Sequence, residues 1–320
     1  MSRDHNVDNL RGLAMIAMIT IHATVLYWND KVAHFFWDSL QWAVPVFLFC
    51  SAYLFFSRPF DFSFLSIKKY FVKRLTRLFI PYYVFLGVYT LLTYFFDRQK
   101  FNPSYFIGNL FVYKSLDLNW LVLIFFELMF VFPLVAFFKK KNILIYYLFG
   151  LTSLASSVYF LFFRPGQFKT IMWLSWSLII YFTIYFIENQ KKTKKMLLTA
   201  LLSLIIFAAC YFIEVKLGHP LTHFSNKYPP NLYHLSYGTF SIIILYFLSS
   251  SGLLKPVQKI LDFFSIYSYE IFFIHILLLY LFGWMNVKFS NWWTLFIVIT
   301  TSTVFIQLLI NKGRKLYIKK

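Results

Sequence analysis

The feature that most constrains this chain is a series of apolar stretches that are separated by short clusters of lysine and arginine. The hydrocarbon core of a bilayer is about 30 Å thick, and a helix needs about 20 apolar residues to cross it. These stretches are continuous rather than alternating, which excludes a closed β-barrel. The sequence therefore predicts an all-α, polytopic membrane helix bundle with about ten transmembrane helices.

The connections between the predicted spans are short. The longest of them, Arg58–Leu78, Asp97–Asn119 and Val215–Asn231, are each about 20 residues, too few for a soluble domain. We therefore expect residues 1–320 to form one transmembrane domain with no separate soluble domain. The predicted spans are Asn9–Trp28, His34–Ser57, Phe79–Phe96, Trp120–Phe138, Asn142–Phe163, Thr170–Ile187, Met196–Glu214, Leu232–Ser250, Phe263–Phe282 and Trp292–Ile310.

Composition supports the same class. Only 13% of the 320 residues are charged, and 60% are hydrophobic. A soluble domain carries about twice that charged fraction. The net charge of +19 does not indicate a nucleic-acid partner, because the basic residues lie in short clusters at the ends of spans. Cys50 and Cys210 both fall inside predicted spans, so the sequence gives no support for a disulfide framework.

The distribution of basic residues predicts the orientation of the chain. If the N-terminus is inside, the inner segments hold 22 of the 31 lysines and arginines, and the outer connections hold the other nine. Cytoplasmic connections are the ones enriched in lysine and arginine. We therefore expect both termini to be cytoplasmic.

Two histidines and an arginine lie inside predicted spans, where ionisable groups are costly and often functional. Arg11 and His22 are eleven residues apart, close to three helical turns, so both project from one face of the first span. This face would place a cation and a proton-transfer group along one cavity; an interfacial arginine and a hydrogen-bonded histidine are the alternative. His275 lies at about the depth of His22, which suggests one polar pocket or a structural hydrogen bond.

A basic cluster precedes the third predicted span. Arg74 and Arg77 are one helical turn apart, with Lys73 beside them, and such a group suits a phosphorylated ligand that enters from the cytoplasm. The positive-inside pattern explains part of the same cluster. Glu127, a carboxylate within the fourth span, is expected to pair with a cation or to titrate. Trp120, at the outer end of that span, suits either an interfacial aromatic belt or a surface that stacks on sugar rings.

Several motifs of this chain together resemble the acyltransferase 3 family. The segment Asn6–Leu13, followed by His22, resembles the family's opening signature of an arginine, ten residues and a histidine. Four further segments match in the family's order: Val44–Tyr53, in which Ala52 replaces the usual glycine; Arg74–Pro81, with its two arginines; Asn119–Leu121, in which Leu121 replaces phenylalanine; and Ser265–Tyr269 running to His275. The resemblance covers nearly the whole chain.

This resemblance implies an enzyme of the cell membrane, in bacteria the plasma or inner membrane. It would move an acyl group, usually acetyl, from acyl-CoA in the cytoplasm to a hydroxyl of a cell-surface glycan or lipid-linked saccharide. Carried over by position, Arg11 and His22 form the essential pair, and Arg74 and Arg77 lie near the donor. Lys73 is assigned to the donor with them, His275 to catalysis, and Glu127 and Trp120 to the acceptor.

The sequence also bears on further partners, on metal binding and on a different activity. Membrane lipids are expected partners, together with glycan-synthesis machinery or a second copy of the chain. No metal is expected, because His219 and His223 flank Pro220 and have no third ligand nearby in the sequence. The main alternative function is a proton-coupled transporter or a flippase of a lipid-linked glycan, which would also use histidines and a carboxylate within the membrane.

Overall fold

A computed structural model describes residues 4–111, 119–166 and 168–318 of the chain. These residues form α-helices joined by short turns and 3₁₀ segments, and no β-strand occurs among them. The helices are α1 His5–Thr24, α2 Lys31–Ser39, α3 Ala43–Phe56, α4 Phe64–Phe96, α5 Pro103–Leu110, α6 Asn119–Lys141, α7 Ile143–Phe162, α8 Met172–Asn189, α9 Thr193–Leu217, α10 Leu232–Ser250, α11 Gln258–Ile266, α12 Ser268–Trp284 and α13 Trp292–Ile318.

The helices confirm the polytopic membrane class. Among the described residues, eight helical segments are long and apolar enough to cross a membrane, or up to nine if the bent pair α11 and α12 forms one span. The remaining predicted span, Thr170–Ile187, corresponds to α8. This 18-residue helix carries several polar side chains, among them Glu188 and Asn189, and it is not one of the eight.

Two helices differ from the predicted spans. The connection Arg58–Leu78 precedes the third predicted span, but α4 already begins at Phe64 and runs for 33 residues. Its start is capped, because Ser63 Oγ accepts the Ser66 backbone N–H. The predicted ninth span is broken at Tyr267, where α11 and α12 meet at a bend of 79°. As a result, His275 lies seven residues after the start of its own helix.

Helix α1 occupies the centre of the bundle. It packs against α3, α10, α11, α12 and α13, and most of its residues are buried. Gly12 allows the closest of these approaches, because a Cβ at this position would lie 2.5 Å from the Leu261 carbonyl oxygen of α11. The side chain of Asn9 bonds to Ser249 and Gln258, which fixes the polar end of α1 against α10 and α11. Helices α7, α9 and α13 lie at the periphery, where they expose apolar side chains.

Candidate active site

Two large cavities lie at opposite ends of the bundle. One, here called the basic cavity, has a volume of about 640 Å³, and the other, the aromatic cavity, has about 1040 Å³. Helix α1 contributes Arg11 to the basic cavity and His22 to the aromatic cavity. Helices α6 and α12 likewise line both cavities, with residues from opposite ends of each helix. The same three helices therefore connect the two cavities.

The basic cavity is lined by four arginines, Arg11, Arg74, Arg77 and Arg314. Arg74 donates a hydrogen bond to Ser51 Oγ at 3.2 Å, and its guanidinium lies 5.7 Å from the centre of the Tyr70 ring. Arg11 lies 3.6 Å from Asp8, and Arg314 pairs with Glu270 at 2.9 Å. Neither Arg74 nor Arg77 forms an ion pair with a carboxylate of the described residues. Guanidinium groups held this way are suited to bind phosphate.

The aromatic cavity is lined by His22, by lysines and by a large number of aromatic and aliphatic side chains. Its aromatic residues come from several elements: Tyr27 after α1, Trp37 of α2, Trp120 of α6, Phe168 before α8, Phe224 and Tyr228 between α9 and α10, Phe272, Tyr280 and Phe282 of α12, and Phe289 before α13. Such a wall offers ring faces for stacking and leaves His22 as one of its few polar groups.

His22 and His275 are in direct contact. Their rings are stacked at 5.1 Å, and His22 Nδ1 lies 2.8 Å from His275 Nε2. The other nitrogen of His275, Nδ1, lies 2.9 Å from the Ile271 carbonyl oxygen. A carbonyl only accepts, so His275 Nδ1 must carry the proton that it shares with Ile271.

This pattern fixes the tautomers of a neutral pair. Because His275 Nδ1 is the donor to Ile271, its Nε2 is the acceptor, and His22 Nδ1–H donates to it. His22 Nε2 is then left with its lone pair. His275 is fully buried and lines neither cavity, whereas His22 reaches the aromatic cavity. The geometry thus presents an imidazole base that is oriented by a second imidazole behind it.

Two side chains are shared by the walls of both cavities, Leu121 of α6 and Phe272 of α12. Phe272 also contacts the histidines, at 6.3 Å from His22 and 5.6 Å from His275 between ring centres. These two residues, called here the partition, therefore lie where the walls of the two cavities meet.

The segment 218–231, between α9 and α10, forms one wall of the aromatic cavity. A polar network holds this segment in position. Buried Glu214, near the end of α9, accepts hydrogen bonds from Arg164 at 3.3 Å and Asn231 at 2.7 Å, and it contacts His219 at 2.8 Å. Asn231 also donates to Asn226 at 2.6 Å. These contacts give the loop a defined position and thereby place its side chains in the cavity.

The charged side chain that this loop places in the wall of the aromatic cavity is Lys227. It is buried, and its ammonium donates to Gln41 Oε1 at 2.5 Å. The same ammonium lies 5.0 Å from the ring centres of Phe224 and Tyr228 and 5.4 Å from that of Trp120. Burial lowers the pKa of Lys227 to about 7. In the sequence, Lys227 is one of the nine basic residues of the outer connections, and the aromatic residues beside it are the signal that could have pointed to a site.

The structure brings together six of the eight residues singled out from the sequence. Arg11, Arg74 and Arg77 line the basic cavity, His22 and Trp120 line the aromatic cavity, and His275 supports His22. Arg11 and His22 do not share one cavity as expected, because the partition lies between their two sites.

The other two residues lie outside the cavities. Lys73 is exposed on α4 and lines neither cavity. Glu127 of α6 also lines neither, and its buried Oε2 has no hydrogen-bond partner among the described residues. The structure therefore supplies no contact that would join either residue to the site.

The described residues thus form a helical membrane protein in which a histidine base lines one of two chemically distinct cavities. The sequence profile described as an acyltransferase domain, that of the acyltransferase 3 family, matches residues 4–312. The chain therefore belongs to the acyltransferase 3 family and is a membrane acyltransferase. Searches of curated proteins and of solved structures found no match.

Proposed function

We propose that this protein transfers an acetyl group from acetyl-CoA, bound in the basic cavity, to a hydroxyl of a saccharide in the aromatic cavity. The saccharide is a cell-surface glycan or its lipid-linked precursor, and the protein acts in a bacterial plasma membrane with the basic cavity facing the cytoplasm. The observation that carries this proposal is the arrangement of the two cavities, which meet at Leu121 and Phe272 beside His22.

The basic cavity suits the donor because acyl-CoA carries several phosphates. Arg74 and Arg77 have no carboxylate partner among the described residues, so their charges are available to a ligand. With the phosphates held there, the flexible arm of the donor would pass the partition and bring its thioester to His22. A small acyl group such as acetyl fits a passage that is bounded by two apolar side chains.

His22 acts as a general base in the proposed reaction. Its Nε2 takes the proton of the acceptor hydroxyl as the hydroxyl oxygen attacks the thioester carbonyl carbon. The C–O bond forms, the C–S bond breaks, and the departing thiolate takes the proton from His22, which leaves the ester and free CoA. His275 Nε2 accepts the His22 Nδ1–H throughout and holds the ring in the tautomer that the reaction needs.

The reaction is tested with full-length protein in liposomes that receive radiolabelled acetyl-CoA and envelope glycans of the host. We expect label in an alkali-labile ester with wild type, and a loss of about 10²- to 10⁴-fold with His22→Ala, because this change removes the base. His5→Ala is the matched control, since His5 lies exposed on the same helix. It should transfer acetyl at the wild-type rate.

Three results would each redirect the proposal. Normal transfer by His22→Ala would contradict the role of the base. Label that remains on wild type but not on His22→Ala, and that is released by hydroxylamine, would indicate that His22 carries the acetyl group itself. Glycan that changes sides of the membrane without gaining an ester would indicate a transporter.

A further inference from the structure

We propose that the saccharide acceptor is anionic, and that Lys227 binds its carboxylate or phosphate group in the aromatic cavity. This inference rests on the proposed function, because it assumes that the aromatic cavity holds the acceptor. It adds the chemical class of the acceptor and assigns a residue that recognises it.

The charged side chains described in the wall of the aromatic cavity are all basic. Lys169, Lys227 and Lys288 all line the aromatic cavity, and among the residues that the structure describes no aspartate or glutamate lines it. A cavity with one sign of charge and walls of low polarity attracts a ligand of the opposite sign. The wall of the aromatic cavity therefore favours an anion over a neutral saccharide.

Lys227 differs from the other two lysines because it is buried. It is 6% exposed and forms no ion pair with a carboxylate of the described residues. The nearby carboxylate, Asp38, is occupied by the backbone N–H groups of His223 at 2.7 Å and Phe224 at 3.5 Å. Gln41 is the only oxygen acceptor of the Lys227 ammonium in the described part of the chain.

A buried ammonium with one neutral acceptor is incompletely paired. The group has three N–H donors, and Gln41 takes one of them. Burial without a charged partner disfavours the ammonium, as the lowered pKa of Lys227 also indicates. An anionic group at this place would accept the remaining hydrogen bonds and supply the missing charge.

The aromatic rings around Lys227 suit the rest of such a ligand. Trp120, Phe224 and Tyr228 hold the ammonium at 5.0–5.4 Å by cation–π contact. All three rings also line the cavity, where aromatic side chains can pack on the apolar face of a sugar. One group of residues would thus position both the charge and the ring of an acidic saccharide near His22.

The test separates envelope glycans of the host by anion exchange into neutral and anionic fractions. Each fraction is offered with radiolabelled acetyl-CoA to wild type, Lys227→Met, Lys227→Arg and His22→Ala in liposomes. Lys216→Met is the matched control, because Lys216 is an exposed lysine of α9 that lines neither cavity. Carboxyl reduction of the anionic fraction removes carboxylates, and hydrofluoric acid removes phosphodiesters, so the two treatments distinguish the two sources of charge.

We expect wild type to label the anionic fraction, and one of the two treatments to abolish the labelling. Lys227→Met should raise the KM for this fraction by about 10- to 100-fold, as expected for the loss of a charge-assisted hydrogen bond. Lys227→Arg should recover part of the loss, and Lys216→Met should match wild type. The KM for acetyl-CoA should not change in the three lysine variants, which also shows that they are folded.

Labelling of the neutral fraction, or an unchanged KM in Lys227→Met while His22→Ala is inactive, would overturn the inference and leave the proposed function standing. If Lys227→Met lowers kcat and donor binding together, Lys227 only supports the loop, and the inference is again wrong. Absence of label from every fraction with wild type would overturn the proposed function, and this inference with it.

Discussion

The two cavities present positive charge in different ways. In the basic cavity, Arg74 and Arg77 project from consecutive turns of one long helix, and a ligand can reach both. In the aromatic cavity, Lys227 is buried within three rings on a loop that a polar network holds in place. The first arrangement suits the several phosphates of a flexible donor, whereas the second suits one anionic group in one orientation. Under the proposed function, the basic cavity would select its ligand by charge and the aromatic cavity by shape and charge together.

The histidine pair adjoins the aromatic cavity, and its loss should lower kcat more than any other change proposed. We expect His275→Leu to lower kcat by about 100-fold, because His22 Nδ1–H loses its acceptor and the ring is no longer held in the reactive tautomer. His275→Gln should retain more activity, since its amide oxygen can replace Nε2. The KM for acetyl-CoA should be unchanged in steady-state assays. An equal loss of kcat in His275→Leu and His275→Gln would show that His275 serves packing alone.

The arginines test the other cavity. Arg74→Met should raise the KM for acetyl-CoA by about 10- to 100-fold and leave the KM for the glycan unchanged, because it removes a guanidinium that is proposed to bind the donor phosphates and that lines only the basic cavity. Lys73→Met should have a much smaller effect, since this exposed side chain lines neither cavity. Lys69→Met, also exposed on α4, is the control. Equal effects of Arg74→Met and Lys73→Met would mean that overall charge, rather than the cavity, attracts the donor.

The partition tests whether the cavities are separate. Phe272→Leu should increase the use of butyryl-CoA relative to acetyl-CoA by about tenfold, because a smaller side chain widens the passage. Phe273→Leu is the matched control: Phe273 is equally buried on the same helix, but it lines neither cavity. Competition between the two donors measures the ratio directly. An unchanged ratio in Phe272→Leu would show that the acyl group takes another path.

The sequence predicted those features that depend on local spacing. Apolar length predicted the spans, and the one-turn spacing of Arg74 and Arg77 placed them on one surface. The matching depth of His22 and His275 predicted that they share a pocket or a hydrogen bond, and the two rings are in contact although the predicted ninth span is broken at Tyr267. The predicted cytoplasmic position of the termini remains a prediction.

The aromatic cavity could not be predicted in the same way. Its wall combines the ends of α1, α6 and α12 with α2 and the segment 218–231, and these meet only in the tertiary structure. Lys227 lies 186 residues from its acceptor Gln41, so no local pattern joins them. The partition could not be predicted for the same reason. In the sequence, Leu121 stands only where the family usually has phenylalanine, and Phe272 is part of an apolar stretch.

The partition also bears on the energy supply of the cell. A continuous water-filled passage through this protein would let protons and other ions run down their gradients across the membrane. Two apolar side chains at the place where the cavities meet exclude water, and an ion cannot cross such a place without its hydration shell. Leu121 and Phe272 would thus allow the arm of a donor to pass while the membrane stays insulated.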